Sequence, residues 1–157
     1  MAVKAIPEGY HSVTPYLYVK GAAAALEFWK TALGAVETVR MAGPDGSIMH
    51  GEMKIGDSLL MFAEENDAWG NKSPTTLGGP SGGFCIYLEN VDEAFARAVE
   101  AGATVKMPVA DQFYGDRSGT VVDPFGHVWT LATHTEDLTP EQMEQRMADF
   151  MKSMPKA

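Results

Sequence analysis

One pattern of apolar spacing occurs twice in this chain, and a duplicated pattern admits few folds. Between Ala22 and Leu33 the residues Ala22, Ala25, Leu26, Trp29 and Leu33 fall at i, i+3, i+4, i+7 and i+11, one face of a helical period, and Gly34 supplies the stop. Val91, Ala94, Phe95, Ala98 and Val99 repeat the helical spacing before Gly102, with Asn90 and Glu93 as an N-terminal cap. Ala22 to Val91 is a shift of 69, and Gly34 to Gly102 is a shift of 68, so one slipped residue reconciles the two copies. A repeat this long is a duplicated half-domain, because solenoid units run to only about 20–50 residues. Burying Leu26 and Trp29 would contribute about 1.5–3 kcal/mol each, enough to hold a helix too short to stand alone.

Strand patterns flank each helix in the same order. In the first copy Thr14 to Lys20 alternates, and after the helix come Ala35 to Met41, Ser47 to Ile55 and Ser58 to Ala63. The separators Gly43-Pro44-Asp45-Gly46 and Gly56-Asp57 are turn chemistry. In the second copy the strands fall at Phe84 to Leu88, Thr104 to Met107, Gly119 to Val122 and His127 to Thr133. The order is βαβββ twice, an α+β class with modules at about 11–65 and 82–136 in one domain spanning 1–157. Glu64 to Gly82 has no period and is predicted to be a long surface loop anchored by Trp69. Thr139, Pro140 and Gln142 predict a capped terminal helix over about 139–152. Its face of Met143, Met147, Phe150 and Met151 should dock on its own chain or on a partner.

Composition narrows the function. The formal net charge of -9 opposes nucleic-acid binding, which needs clustered Lys and Arg. The single cysteine, Cys85, permits neither a disulfide framework nor a paired-cysteine metal knuckle, and a cytoplasmic setting fits it. No apolar run reaches the roughly 20 residues of a membrane span, and residues 1–8 lack a signal pattern. Phosphate-loop, dinucleotide, zinc-protease and hydrolase motifs are missing from the sequence. Ten methionines, with Met41, Met49, Met53, Met61 and Met107 in or beside strands, serve either as core filler or as an adaptable cavity lining.

The stretches TPYLYVKGAAAALEFWKTALG, HGEMKIGDSLLMF, GFCIYLENVDEAFARAVEAGATV and YGDRSGTVVDPFGHVWTLATH, together covering residues 11 to 136, resemble the PhnB-like branch of the vicinal oxygen chelate (glyoxalase/bleomycin resistance/dioxygenase) superfamily. The resemblance implies that each module curls four strands into half of a half-open barrel, enclosing a cleft for small ligands. Metal-dependent relatives hold a divalent ion with one residue from the first and one from the last strand of each module. Matched here, those positions fall at Thr14, at Leu60 or Met61, at Gly83 or Phe84, and at Thr130. None is an imidazole or carboxylate, and a register one residue different adds only Cys85 as a possible donor. The expectation is therefore a protein without metal or other cofactor.

In the same register Tyr16, Met61, Cys85 and Thr130 line the cleft, while Leu17, Phe84 and Ile86 face the helices. His50 and Glu52 alternate on one strand face, as a cleft-lining pair, a proton-transfer pair or a solvated edge. Tyr114 and Arg117 sit in a predicted loop bent at Gly115, where Arg117 either grips an anionic ligand group or pairs with an acid such as Asp116. His11, His127 and His134 are expected to be surface or structural residues, and no catalytic residue is assigned. The functional expectation is a metal-free binding protein for an antibiotic or another aromatic or amphipathic compound, acting as a homodimer. The alternatives are a lyase, isomerase or dioxygenase-like enzyme with a non-standard site, and a protein-interaction module built on the terminal helix.

Overall fold

The computed structural model describes residues 3–154. Two sheets of four strands form, each from one copy of the repeat. The first holds β1 (Tyr16–Val19), β2 (Val36–Ala42), β3 (Ile48–Ile55) and β4 (Ser58–Glu64) in the order β1-β4-β3-β2. The second holds β5 (Gly83–Tyr87), β6 (Thr104–Asp111), β7 (Asp116–Val122) and β8 (Val128–His134) in the order β5-β8-β7-β6. β1 runs parallel to β4, and β5 to β8, while the remaining neighbours are antiparallel. A parallel pair needs a crossover, and helices α1 (Ala22–Leu33) and α3 (Val91–Glu100) begin those connections. The α+β, twice-βαβββ expectation therefore holds.

Strand alternation gives every sheet a helix face and an open face. On the helix face Leu17 pairs in register with Phe62, and Phe62 with Gly51. A Cβ on Gly51 would stand 2.3 Å from Phe62 Cζ, so only glycine lets that ring lie flat across β3. In the second sheet Phe84, Trp129 and Val121 occupy the helix face. The helix faces share one core, in which Trp29 of α1 meets Phe62 at 5.5 Å and Trp129 at 6.2 Å between ring centroids. All three rings are buried.

A single carboxylate ties this core together. Asp123 Oδ2 accepts from the indole nitrogens of Trp29 (2.8 Å) and Trp129 (2.9 Å), and Oδ1 accepts from the backbone N–H groups of Phe125 and His127, both at 2.9 Å. Burial opposes its charge, yet His127 and the two indoles outweigh that penalty and hold the carboxyl below the usual range. His127, expected to be structural or solvated, is a buried core residue whose Nδ1 lies 3.7 Å from Asp123, too far for a hydrogen bond.

Two local expectations are corrected, and the terminal helix keeps its predicted cap. The predicted loop before Gly119 is a hairpin: β6 runs on to Asp111 and β7 starts at Asp116. Pro108 is tolerated because β6 is an edge strand, and register shifts on both sides of Met107 absorb it. In the connector Trp69 is 65% exposed and anchors nothing; the anchor is Glu65, which accepts from Ser73 and Thr76. Those bonds, Ser73 first, hold its carboxyl down to about 2 and fix the short helix α2 (Pro74–Leu77). Helix α4 (Pro140–Ser153) has the predicted Thr139–Gln142 capping box, but buries no residue. It touches its own chain through a Phe150–Phe113 stack at 4.8 Å and a two-pronged Arg146–Glu136 pair, leaving Met147 and Met151 exposed.

Candidate functional site

Each open sheet face carries a hydrogen-bonded group of tyrosine, histidine and carboxylate. On the first, β1, β4 and β3 align Tyr16, Met61 and Glu52 in one row, and His50 stands two residues before Glu52 on the same side. Tyr16 Oη lies 2.7 Å from His50 Nδ1, and His50 Nε2 lies 3.1 Å from Glu52 Oε1. The phenol of Tyr10, in the segment before β1, donates to Glu52 Oε2. That bond raises the Tyr10 pKa and keeps the phenol a neutral donor. Glu52 is buried, whereas Tyr16 is 41% exposed and stands 5.2 Å from the Tyr18 ring. Between the Tyr10 segment and the sheet lies a cleft of about 480 Å³ with Tyr10, His11, Thr14, Glu52 and Met61 in its wall.

On the second open face, β5, β8 and β7 align Cys85, Thr130 and Thr120, and the two threonine hydroxyls are 3.0 Å apart. Farther along, buried Asp116 accepts from the Tyr87 phenol at 2.8 Å and meets His134 Nδ1 at 2.7 Å. His134 Nε2 reaches Asp137 at 3.0 Å. Asp116, then burial, lifts the Tyr87 phenol to about 12, and the two carboxylates, Asp116 first, raise the His134 pKa. Burial and then Asp116 push the Cys85 thiol up, so it is a poorer nucleophile than a free cysteine. A larger cleft of about 650 Å³ runs along the free edge of β5, between Cys85 and Tyr87 and the β3–β4 turn at Ile55 to Ser58.

Of the predicted ligand residues, Tyr16, His50, Glu52 and Met61 stand together on one open face, and Cys85 and Thr130 on the other. Tyr114 joins the second group, its hydroxyl 3.4 Å from Ser118. Arg117 does not. It belongs to the helix side of β7, where its guanidinium meets both Asp92 oxygens at 2.8 and 2.7 Å and Asp111 at 3.0 Å. Asp116 and Arg117 therefore point to opposite sides of the same strand. Tyr10, Tyr87, Asp116 and His134 are the members sequence reasoning left out; the alternation of Cys85 with Tyr87 was the available signal for one of them.

The positions that the sequence resemblance assigns to metal-ligand slots offer a poor donor set. Thr14 hydrogen-bonds to His11, Met61 is a thioether, Gly83 has no side chain, and Thr130 is bonded to Thr120. Among the described residues no group of three or more His, Cys, Asp or Glu is placed to hold an ion. The donors present do not fit a divalent cation.

Known proteins give the arrangement its context. Residues 9–131 match the model of the Glyoxalase/Bleomycin resistance protein/Dioxygenase superfamily. An uncharacterized protein of Mycobacterium tuberculosis is 37% identical over 140 residues, covering 87% of this chain and 82% of that protein. Among solved structures, TioX from Micromonospora sp. ML1 superposes with a TM-score of 0.63 at 22% identity, over 82% of this chain and all of that one (100%). The fosfomycin resistance protein FosX from Listeria monocytogenes, as a mutant complexed with Mn(II) and a dihydroxypropylphosphonic acid, superposes at 0.60 and 21% identity, over 85% and 94% of the two chains. At these identities the two superpositions establish a common fold.

Proposed function

This chain belongs to the Glyoxalase/Bleomycin resistance protein/Dioxygenase superfamily, and from that premise we propose that it is a metal-free binding protein for a small aromatic or amphipathic compound. The observation that carries the reading is the makeup of the open faces: exposed tyrosine and methionine side chains, among them Tyr16, Met41, Tyr87 and Met107, surround polar groups already bonded to one another. Such a surface offers stacking and soft contact with few fixed polar anchors, as small-molecule sites do. Tyr16, His50, Glu52, Met61, Cys85, Tyr114 and Thr130 are its ligand-facing residues, and Arg117 has no part in it. The FosX mutant structure is a complex with Mn(II); here such an ion would lack its donors. The free Cys85 thiol suits a reducing cytoplasm.

The protein acts as a homodimer. The apolar face of α4 with Met147, Phe150 and Met151, and the open sheet faces with Met41 and Met107, are exposed surface that a second copy would cover. A thermal-shift screen of aromatic compounds against metal-stripped protein tests the binding reading, since a ligand at 100 times its Kd stabilises a fold by about 2.7 kcal/mol. Shifts that survive chelation are expected. Near one equivalent of tightly held metal by elemental analysis, with ligand shifts lost on its removal, would transfer the reading to a metalloenzyme.

A further inference from the structure

We infer that the ligand of the first open face meets Tyr16 with a hydrogen-bond donor, the O–H of a phenol or enol, and that the Tyr16–His50 pair takes up its proton. The inference rests on the binding reading above and names the ligand class of that site. It follows from the direction of each bond in the chain Tyr10–Glu52–His50–Tyr16. An ionised carboxylate only accepts, so the Tyr10 phenol donates to Oε2 and His50 Nε2–H donates to Oε1 at 3.1 Å. In the neutral imidazole, the proton on Nε2 leaves a lone pair on Nδ1. Tyr16 Oη is 2.7 Å from that lone pair and therefore gives its only proton to it. What remains of the Tyr16 oxygen is lone pairs, and these can only accept.

The same chain runs proton transfer without another reactant. The ligand O–H bond breaks and its proton joins Tyr16 Oη as the proton of Tyr16 passes to His50 Nδ1. The products are a bound phenolate or enolate and an imidazolium lying between that anion and the Glu52 carboxylate. Glu52 is buried and held by Tyr10, so it is oriented beforehand to stabilise the imidazolium, as the third member of a nucleophile–base–orienter triad does. Among the described residues, the titratable groups on this face or in the wall of its cleft are Tyr10, His11, Tyr16, Tyr18, His50, Glu52 and Lys54. Burial, with Tyr18 and Glu52 adding to it, raises the Tyr16 pKa, so Tyr16 relays the proton and does not rest as phenolate. The Tyr16 and Tyr18 rings, 5.2 Å apart and tilted by 32°, form an aromatic wall against which a ring bearing that hydroxyl would pack.

The probe is 4-nitrophenol, whose phenolate absorbs at longer wavelength than its phenol, used with metal-stripped protein at a pH where the free probe is mostly neutral. The expected result is a bound phenolate spectrum with the natural sequence and a bound neutral spectrum with His50→Gln and with Tyr16→Phe. 4-Nitroanisole, which lacks the donor, should bind about tenfold or more weakly than 4-nitrophenol. Both substitutions sit on a half-exposed surface, and unchanged melting curves establish that they fold. A neutral bound spectrum in all three proteins, or equal affinity for the two probes, overturns the inference and leaves the binding reading intact. So does failure of 4-nitrophenol where a hydroxyl-free aromatic binds. If no aromatic of either kind binds, both fall together.

Discussion

Removing the carboxylate of Asp123 should unfold the protein far more easily than its position in a surface-type turn sequence suggests. Asp123→Ala leaves four donors without their acceptor: the indole N–H groups of Trp29 and Trp129 and the backbone N–H groups of Phe125 and His127. Both indoles are almost fully buried, at 0% and 1% exposure, so water cannot replace the lost bonds. An unsatisfied buried donor costs about 1–3 kcal/mol. Partial relaxation around the turn brings the total to about 3–5 kcal/mol, a large share of the roughly 5–15 kcal/mol that holds an ordinary domain together. Asp123→Asn separates charge and shape. Its amide oxygen still serves the backbone donors, but its NH2 then faces two indole N–H groups, so most of the loss should persist, about 2–4 kcal/mol. Urea unfolding followed by tryptophan fluorescence measures both changes. The pH dependence has a fixed sign: a carboxyl depressed in the folded state stabilises the fold above its unfolded pKa of about 4, and that contribution disappears as pH falls through the folded value. The natural protein should lose more stability on acidification than either variant. A loss below about 1 kcal/mol for Asp123→Ala, or full recovery with Asn, would refute the reasoning.

Other substitutions check separate parts of the account. Gly51→Ala inserts a methyl 2.3 Å from the buried Phe62 ring and should cost about 1–3 kcal/mol by overpacking, read from the same urea curves; a neutral effect would mean the ring moves freely. Arg117→Ala should leave the affinity of a screened ligand unchanged and lower the melting temperature slightly, because its partners are Asp92 and Asp111 on the helix side. Paired Met147→Lys and Met151→Lys changes should shift light scattering from dimer to monomer without altering the far-ultraviolet circular dichroism; a monomeric natural protein would remove α4 from the dimer argument.

The architecture was legible because a helical period of 3.6 and a strand period of two survive in both copies, and because glycine marks the helix ends at Gly34 and Gly102. Strand limits were read to within a few residues except at Tyr114 to Arg117. There Gly115 suggested irregular backbone, and the three-residue extension of β7 from Gly119 back to Asp116 puts Asp116 on the open face and Arg117 on the helix side. The sequence placed Tyr16, Met61, Cys85 and Thr130 in the correct rows because register follows from alternation once a strand is known. It was silent on Tyr10, which reaches Glu52 from 42 residues away, and on the Trp29–Asp123 bond across 94. Contacts set by loop paths and helix docking leave no period to read.

The indole of Trp29 carries a historical consequence. Overlaying the two copies puts Trp29 against Ala98, and both are at 0% exposure in the shared core. At this matched pair the first half carries the bulk, with an indole that donates to Asp123, and the second carries a single methyl. Once that division was made, the second half could not stand in for the first, because alanine at both positions would leave a hole where Trp29 stands and Asp123 short of a donor. Divergence at one pair of matched positions acts as a ratchet, turning an exchangeable tandem repeat into an ordered pair of unlike parts that must be inherited together.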